Sequence, residues 1–175
     1  LYRVWNDSLL RERLRSLLSI VRDTMCDQRG FLKMFFTRDW HHVSYQDSSD
    51  DVRKRFAYYD HISFGHDIET AYLLLEASEA LYGEYDSKTL EVAKKLVDHS
   101  ITYGWDTIRG GLFDRGYYFK GESKPRIIQE TKEWWGQVEA LNSLLMFSKF
   151  FPNDSHRYFE KFLAQWNYCK TYLID

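Results

Sequence analysis

The sequence contains few residues that interrupt helices. Two prolines and nine glycines occur among its 175 residues. A proline inside a helix removes one hydrogen bond and clashes with the preceding turn, and a glycine there costs about 1 kcal/mol relative to alanine. The scarcity of both residue types therefore favours long helices and few tight turns.

Cysteine, net charge and long apolar runs are also scarce. Cys26 and Cys169 lie far apart and do not form the dense framework of a disulfide-stabilised secreted protein, so we expect a reducing, cytoplasmic setting. The formal net charge of −2, without a basic tract, argues against nucleic acid or an anionic membrane surface as a partner. No apolar run reaches the length of about 18 residues that a transmembrane helix needs.

Aromatic residues, by contrast, are abundant. They make up 18% of the chain and include six tryptophans. Aromatic rings that stack on sugars are typical of carbohydrate sites, but large cores use the same residues. The composition alone leaves both interpretations open.

Five segments carry a helical pattern of apolar residues, and they are of two kinds. Segments 8–25, 87–103 and 155–173 have one apolar and one polar face, as surface helices do. Segments 67–82 and 132–151 are apolar nearly all round, which is typical of buried helices. The alternation predicts an all-α fold with an outer and an inner layer, as in an αα-toroid. An open solenoid of helix pairs or an irregular bundle is the alternative.

We expect residues 1–175 to be a single domain that forms part of a larger toroid. A closed ring of this kind needs about six helix pairs, whereas this sequence supplies roughly two and a half. The start at LYRVW, without an initiator methionine, indicates the same. Buried helices would expose large apolar surfaces in such a fragment, so we expect self-association or assembly with a complementary fragment.

The connections between the helices are long. Residues 47–55 (DSSDDVRKR) are expected to form a mobile surface segment. Residues 110–121 are expected to form a hairpin that turns at residues 114–116. Four histidines outside the main motifs are expected to be exposed to solvent: His41, His42, His99 and His156.

A histidine and an acid open the first buried helix. His66 and Glu69 are three residues apart in FGHDIE, so they share one face of the first turn. The partial positive charge of the helix N-terminus favours a neutral imidazole that can act as a base, whereas Glu69 favours the cation. A core histidine beside a helix-terminal carboxylate is the alternative. His61 could join both residues around a metal, but the chain has no HExxH motif or cysteine pair, and we expect no metal.

The second buried helix opens with aromatic residues. Trp134 and Trp135 lie at its start, and Glu139 lies one turn further on. The inner helices of alternating pairs point the same way, so their N-termini meet at one end of the ring. There His66 and the two indoles would line a pocket suited to a sugar.

The motifs of both buried helices resemble those of one family. FGHDIE followed by LLLEA, and then KEWWGQVEA, is similar to the cellobiose 2-epimerase branch of the N-acylglucosamine 2-epimerase superfamily. The opening LYRVW and the segment GFLKMFFTRDW resemble the same family. The resemblance covers essentially the whole chain.

The resemblance implies an (α/α)6 barrel that inverts C2 of the reducing-end glucose of cellobiose or a related β-linked disaccharide, without a cofactor. Two histidines on opposite sides of C2 would move the proton, with a cis-enediolate between the two steps. His66 corresponds to one of them, and Glu69 corresponds to the acid of the same motif. The substrate-binding motif corresponds to Trp134, Trp135 and Glu139.

The resemblance also implies that part of the site lies outside this sequence. The second acid/base histidine would follow Asp175, and a further pocket histidine and an arginine would precede Leu1. We therefore do not expect the isolated 175 residues to be active by themselves.

Four other functions compete with this interpretation. Two lie in the same superfamily: a mannose-type aldose–ketose isomerase, which returns the proton to C1, and an N-acylglucosamine 2-epimerase. A toroidal glycosidase could use Glu69 and Glu139 as its two carboxylic acids, but His66 would then have no role. A helical-repeat binding module without catalytic activity is the alternative from another class. The products formed from a sugar distinguish these possibilities.

Overall fold

The computed structural model describes residues 1–174, which contain six α-helices and one small sheet. A π-helical turn, Val21–Met25, extends the first helix, and a 3-10 turn, Ala57–Tyr59, follows the second. The α-helices are α1 (Ser8–Ile20), α2 (Asp50–Phe56), α3 (Phe64–Tyr82), α4 (Ser87–Tyr103), α5 (Trp134–Phe150) and α6 (Tyr158–Tyr172).

The five long helices form two layers, as the sequence predicts. Helices α3 and α5 lie side by side as the inner layer, and α1, α4 and α6 pack outside them. The core between the layers consists of fully buried side chains such as Ile68, Leu75, Leu96 and Leu144. Burying a side chain of this size stabilises the fold by about 1.5–3 kcal/mol. The predicted alternation of surface and buried helices is therefore confirmed.

A three-stranded antiparallel sheet adjoins the start of the inner layer. Its strands are β1 (Ile62–Ser63), β2 (Arg115–Tyr117) and β3 (Arg126–Gln129), in the order β1-β2-β3. Ile62 is paired with Gly116, and β1 continues directly into α3. The sheet thus fixes the backbone immediately before the first inner helix.

The prediction of a turn at residues 114–116 is wrong. Gly116 lies within β2 instead, between the neighbouring strands. A Cβ atom on this glycine would lie 2.8 Å from Cζ of Phe64, closer than real contacts allow. The glycine is therefore required for close packing against Phe64, a tertiary contact that the local sequence does not reveal.

Residues 47–55, predicted to be a mobile surface segment, include most of a short helix. Helix α2 carries Asp50 and Asp51 in its first turn and basic residues in its last turn, which complements the helix dipole. Arg53 also donates to the carbonyl oxygen of Gln46 at 2.9 Å, which ties the helix to the preceding loop. The charges that suggested a solvated loop stabilise a helix here.

His99 is buried, whereas the sequence predicted an exposed side chain. Its ring is 3% exposed and lies among the rings of Phe31, Phe64, Tyr103 and Tyr118. The long connection after α1 folds over this part of α4 and covers it. Burial, with a smaller contribution from Arg29, lowers the pKa of His99 to about 4.

We expect His99 to make the fold sensitive to acid between pH 6.5 and about 4. The unfolded chain binds a proton on this residue below pH 6.5 and the folded chain does so only below about 4, so stability falls as the pH falls. The difference corresponds to at most about 3 kcal/mol. Urea unfolding of the wild type and of His99→Gln at several pH values measures the effect.

The His99→Gln variant should be less stable at pH 7 but should lose less stability between pH 6.5 and 4 than the wild type. His41→Gln, at an exposed position, is the control. Its free energy of unfolding should change with pH as steeply as that of the wild type. If the free energy of unfolding falls equally steeply between pH 6.5 and 4 in the wild type and in His99→Gln, His99 is not the source of the acid sensitivity.

Both inner helices carry exposed apolar side chains. Leu73 of α3 is 44% exposed, and Val138 and Leu145 of α5 are 45% and 37% exposed. We expect the isolated 175-residue chain to associate through these side chains, because exposed apolar surface drives association. Analytical ultracentrifugation should detect dimers or larger species, and a Leu73→Glu/Leu145→Glu double variant should reduce them. A monodisperse wild-type monomer would contradict this expectation.

None of the helices among residues 1–174 is long and apolar enough to cross a membrane. Cys26 and Cys169 are both free thiols, and Cys169 is buried.

Candidate active site

A cavity of about 300 Å³ lies at the N-terminal ends of the two inner helices. Its wall combines acidic, imidazole and aromatic side chains from α3, from the start of α5 and from the segment before β1. The residues that carry this chemistry include Tyr58, His61, His66, Glu69, Glu133 and Trp135. The predicted convergence of both inner-helix N-termini is therefore present in the structure.

Two glycines allow the inner helices to touch at this cavity. A Cβ atom on Gly65 would lie 2.8 Å from Cη2 of Trp135, and one on Gly136 would lie 3.3 Å from the Cα of Gly65. A side chain at Gly65 would thus push the tryptophan away. The close approach brings the rings of His66 and Trp135 together, with centroids 4.7 Å apart and an edge-to-face orientation.

His66 faces the open cavity, and its neighbour Asp67 is fully buried. The Nδ1 atom of His66 lies 2.7 Å from the hydroxyl oxygen of Ser63. The protein packed around the ring lowers the pKa of His66 below 6.5, and the charge of Glu133 opposes this shift. The imidazole is therefore neutral at pH 7 and can accept a proton.

Glu69 lines the same cavity and is half-buried. Burial, followed by the charge of Glu139, raises the pKa of Glu69. Its carboxylate makes no hydrogen bond to His66 in the described part of the chain, and the group bonded to the His66 ring is Ser63. The acid whose charge acts on His66 is Glu133. Glu69 thus lines the cavity without holding the histidine ring.

The two predicted indoles occupy different positions. Trp135 lines the cavity, and its Nε1–H donates to the carboxylate of Glu133 at 2.9 Å. Trp134 is 67% exposed and does not line this cavity. Glu139 lies further along α5, outside the cavity wall, where it accepts a hydrogen bond of 2.6 Å from the hydroxyl of Tyr72. The structure thus brings Trp135 to His66 but does not bring Trp134 or Glu139 there.

Several cavity residues were not singled out from the sequence as part of the site. His61 is buried, and its Nδ1 lies 2.8 Å from the backbone carbonyl oxygen of Tyr58. Because a carbonyl oxygen can only accept, Nδ1 carries the hydrogen of this bond. Nε2 is therefore unprotonated when the ring is neutral. Glu133 and Arg115 also line the wall. Arg115 lies in β2 directly opposite Ser63, so its place depends on strand pairing that no local motif reveals.

Among the described residues, one group of side chains could hold a metal ion: Asp98, Asp154 and His156. The amino group of Lys94 already lies 2.7 Å from Asp98 and 3.0 Å from Asp154 and offsets part of their negative charge. His156, predicted to be solvated, is only half-exposed and bonds to Asp154 through Nδ1 at 2.7 Å. The cluster therefore stabilises the packing of α4 against the segment before α6 and is separate from the cavity.

The fold and the cavity together define the class of protein, an αα-toroid whose candidate site lies at the N-terminal ends of its inner helices. The family follows from the sequence: residues 1–175 match the N-acylglucosamine 2-epimerase (GlcNAc 2-epimerase) family, and the chain belongs to it.

Two curated relatives are similar over the whole chain. The cellobiose 2-epimerase of Bacteroides fragilis is 24% identical over 176 residues, and that of Dictyoglomus turgidum is 21% identical over 184 residues. Each match covers 100% of this chain and 39% of the relative. The chain therefore spans about two fifths of the length of these relatives.

Solved structures share the fold. The cellobiose 2-epimerase of Bacillus thermoamylovorans superposes with a TM-score of 0.76 and 26% identity, covering 99% of this chain and 38% of that protein. A D-mannose isomerase gives the same TM-score at 20% identity, covering 99% of this chain and 40% of that protein. The likeness confirms the predicted fold class, part of an (α/α)6 toroid with short strands in its connections.

Proposed function

We propose that the full-length protein is a carbohydrate 2-epimerase that inverts C2 of the reducing-end glucose of cellobiose or a related β-linked disaccharide. The observation that carries the proposal is the His66 imidazole, packed against the indole of Trp135 in a cavity that Glu69 also lines. The names of the similar proteins support the choice of sugar.

His66 would act as one of the two acid/base groups. The hydrogen on C2 of an open-chain aldose is weakly acidic because the negative charge left behind spreads onto the neighbouring carbonyl. His66 would remove this hydrogen as a proton and form a cis-enediolate, and a proton added to the opposite face of C2 would give the epimer. The second acid/base group is expected outside residues 1–175.

The other cavity residues would bind and orient the sugar. Trp135 offers an apolar surface on which a pyranose ring can stack, and Glu69 offers a carboxylate for sugar hydroxyl groups. Trp134 and Glu139, which lie outside the cavity, would contribute to binding only where further parts of the toroid bring substrate to them. No cofactor is required for this proton transfer. We expect the protein in the cytoplasm, with a saccharide as its ligand and neither nucleic acid nor membrane as a partner.

An aldose–ketose isomerase is the second candidate. The likeness to a D-mannose isomerase supports it only at the level of the fold. The same enediolate leads to a ketose if the proton returns to C1 instead of C2. The residues of the cavity described above suit both outcomes, so the product must distinguish them.

The test is product analysis with the full-length protein. Cellobiose, mannose and N-acetylglucosamine are incubated separately, and the products are identified by NMR. We expect the C2 epimer of cellobiose, in which the reducing-end glucose has become mannose. A ketose would indicate the isomerase, and monosaccharides from cellobiose would indicate a glycosidase. Absence of any reaction with all three sugars would contradict the proposal.

A further inference from the structure

Two of the outer helices, α1 and α4, begin differently from the inner helices, whereas the third outer helix, α6, follows Arg157 and has no side-chain cap. Asp7 caps α1 by accepting the backbone N–H groups of Leu9 and Leu10, and Asp86 caps α4 by accepting that of Thr89. These are the bonds that a side chain before a helix usually makes. The residues before the inner helices make no such bond.

The corresponding side chains of the inner helices bond to the cavity instead. Ser63, the residue before α3, directs its hydroxyl to Nδ1 of His66 at 2.7 Å. Glu133, the residue before α5, accepts from Nε1–H of Trp135 at 2.9 Å. Serine is among the preferred capping residues because its hydroxyl can accept a backbone N–H of the first helical turn. The hydroxyl of Ser63 does not make this stabilising bond to α3.

We infer that Ser63 and Glu133 are positioning residues, which fix the ring of His66 and the indole of Trp135, respectively, for the reaction. This inference rests on the proposed function, since it assigns the orientation of the base and of the sugar platform. Neither residue needs to touch the reacting atoms of the sugar.

The hydroxyl of Ser63 can either accept a hydrogen bond from Nδ1–H of His66 or donate one to an unprotonated Nδ1. The positioning role requires that the hydroxyl accepts, because Nε2 of the neutral ring then carries no hydrogen and can take a proton from the sugar. If Nδ1 carries its hydrogen, the serine oxygen accepts from it both before and after Nε2 is protonated, so the ring need not turn during the reaction. A hydroxyl also has no charge, so it holds the ring without favouring the imidazolium as strongly as a carboxylate would.

The tautomer of His66 tests the role of Ser63 directly. NMR of the full-length protein with ¹⁵N-labelled histidine, near pH 8, should show Nδ1–H on His66 in the wild type. In Ser63→Ala we expect a shift towards Nε2–H, the tautomer that free histidine side chains prefer. A wild-type His66 that carries its hydrogen on Nε2 would overturn the inference without any variant.

Activity provides the second measurement. Ser63→Ala should lower kcat for C2 deuterium exchange roughly 10- to 100-fold, by analogy with the loss of groups that orient metal-bound histidines, with little change in KM. Asp86→Ala is the matched control, because it removes a true cap: it should lower the unfolding temperature and leave the His66 tautomer and kcat unchanged. If Ser63→Ala behaves like Asp86→Ala, Ser63 is a structural residue and the inference fails.

Glu133 is tested by two substitutions. Glu133→Gln keeps an oxygen that can accept from the Trp135 indole, whereas Glu133→Ala does not. We expect Glu133→Ala to raise KM several-fold more than Glu133→Gln does. Equal KM values for the two variants would overturn the role of Glu133.

The experiment separates this inference from the proposed function. If the wild-type protein converts none of the sugars, the epimerase proposal fails, yet the tautomer measurement still decides whether Ser63 fixes the histidine. If the protein is an epimerase and Ser63→Ala leaves both tautomer and rate unchanged, only the inference fails.

Discussion

Replacing His66 with asparagine in the full-length protein is expected to lower the rate of C2 epimerisation by roughly 10² to 10⁴, the usual range for loss of a general acid/base group. Asparagine keeps a polar side chain of similar reach but cannot take up a proton at neutral pH. The ring of His66 is neutral and lies beside the cavity, so its loss removes the proposed base without removing the sugar platform. Incubation in deuterated water, followed by NMR of the C2 position, measures the step.

The wild type should both form the epimer and introduce deuterium at C2, and His66→Asn should do neither while still binding sugar. His41→Asn, in an exposed connection, is the matched control and should retain the wild-type rate. Near-wild-type exchange in His66→Asn would show that His66 has only a structural role. Exchange without epimer would instead indicate that the defect lies in the return of the proton.

The pH dependence of the wild type gives an independent check on His66. A base acts only when it is unprotonated, so activity should fall as the pH drops below the pKa of the free enzyme's histidine. Burial lowers the pKa of His66 below 6.5 despite the opposing charge of Glu133, so the acid limb of kcat/KM should lie below pH 6.5. Glu133→Gln removes the opposing charge and should move this limb to still lower pH.

The sequence predicts the helical layers well because their signal is local. Apolar residues that recur with the helix period distinguish the half-buried α1 and α4 from the inner α3 and α5. Each of the five long helices lies within a few residues of its predicted bounds, whereas the short α2 was not predicted. Gly83 ends α3 in the left-handed conformation, as glycine commonly does.

The errors arise where distant segments meet. His99 belongs to an amphipathic helix and was predicted to be solvated, but the connection after α1 covers it. Gln165 is a polar residue of the amphipathic helix α6, yet it is fully buried, and its side-chain amide donates to the backbone carbonyl of Gln137. A polar side chain can lie inside if it finds such a partner, and the partner is 28 residues away.

In the candidate site, too, local motifs are predictable from the sequence and contacts between distant segments are not. The local spacing of FGHDIE and KEWWGQVEA singles out His66, Glu69, Trp134, Trp135 and Glu139. Of these residues, His66, Glu69 and Trp135 line the cavity. No local pattern favours Trp135 over Trp134, because the choice depends on the contact of α5 with Gly65. Nor does any local pattern show that Ser63, rather than Glu69, bonds to the histidine ring, since that depends on side-chain geometry at the junction of β1 and α3.

Replacing Trp135 with alanine is expected to lower kcat/KM on the order of 100-fold, since a reacting group displaced by about 1 Å can cost this much. The substitution removes two things at once: the surface on which a sugar ring would stack and the ring edge that packs against His66 at 4.7 Å. It also leaves the carboxylate of Glu133 without its indole partner. We therefore expect KM to rise and kcat to fall.

Trp134→Ala is the matched control, because this indole is adjacent in sequence but 67% exposed and outside the cavity. It should change kcat/KM much less than Trp135→Ala does. Trp135→Phe separates the two contributions of the indole, since phenylalanine keeps an aromatic surface but cannot donate to Glu133. An intermediate kcat/KM for Trp135→Phe would support both contributions. If Trp135→Ala folds and keeps wild-type kcat and KM, Trp135 is not the sugar platform; a larger loss for Trp134→Ala would assign that role to the other indole.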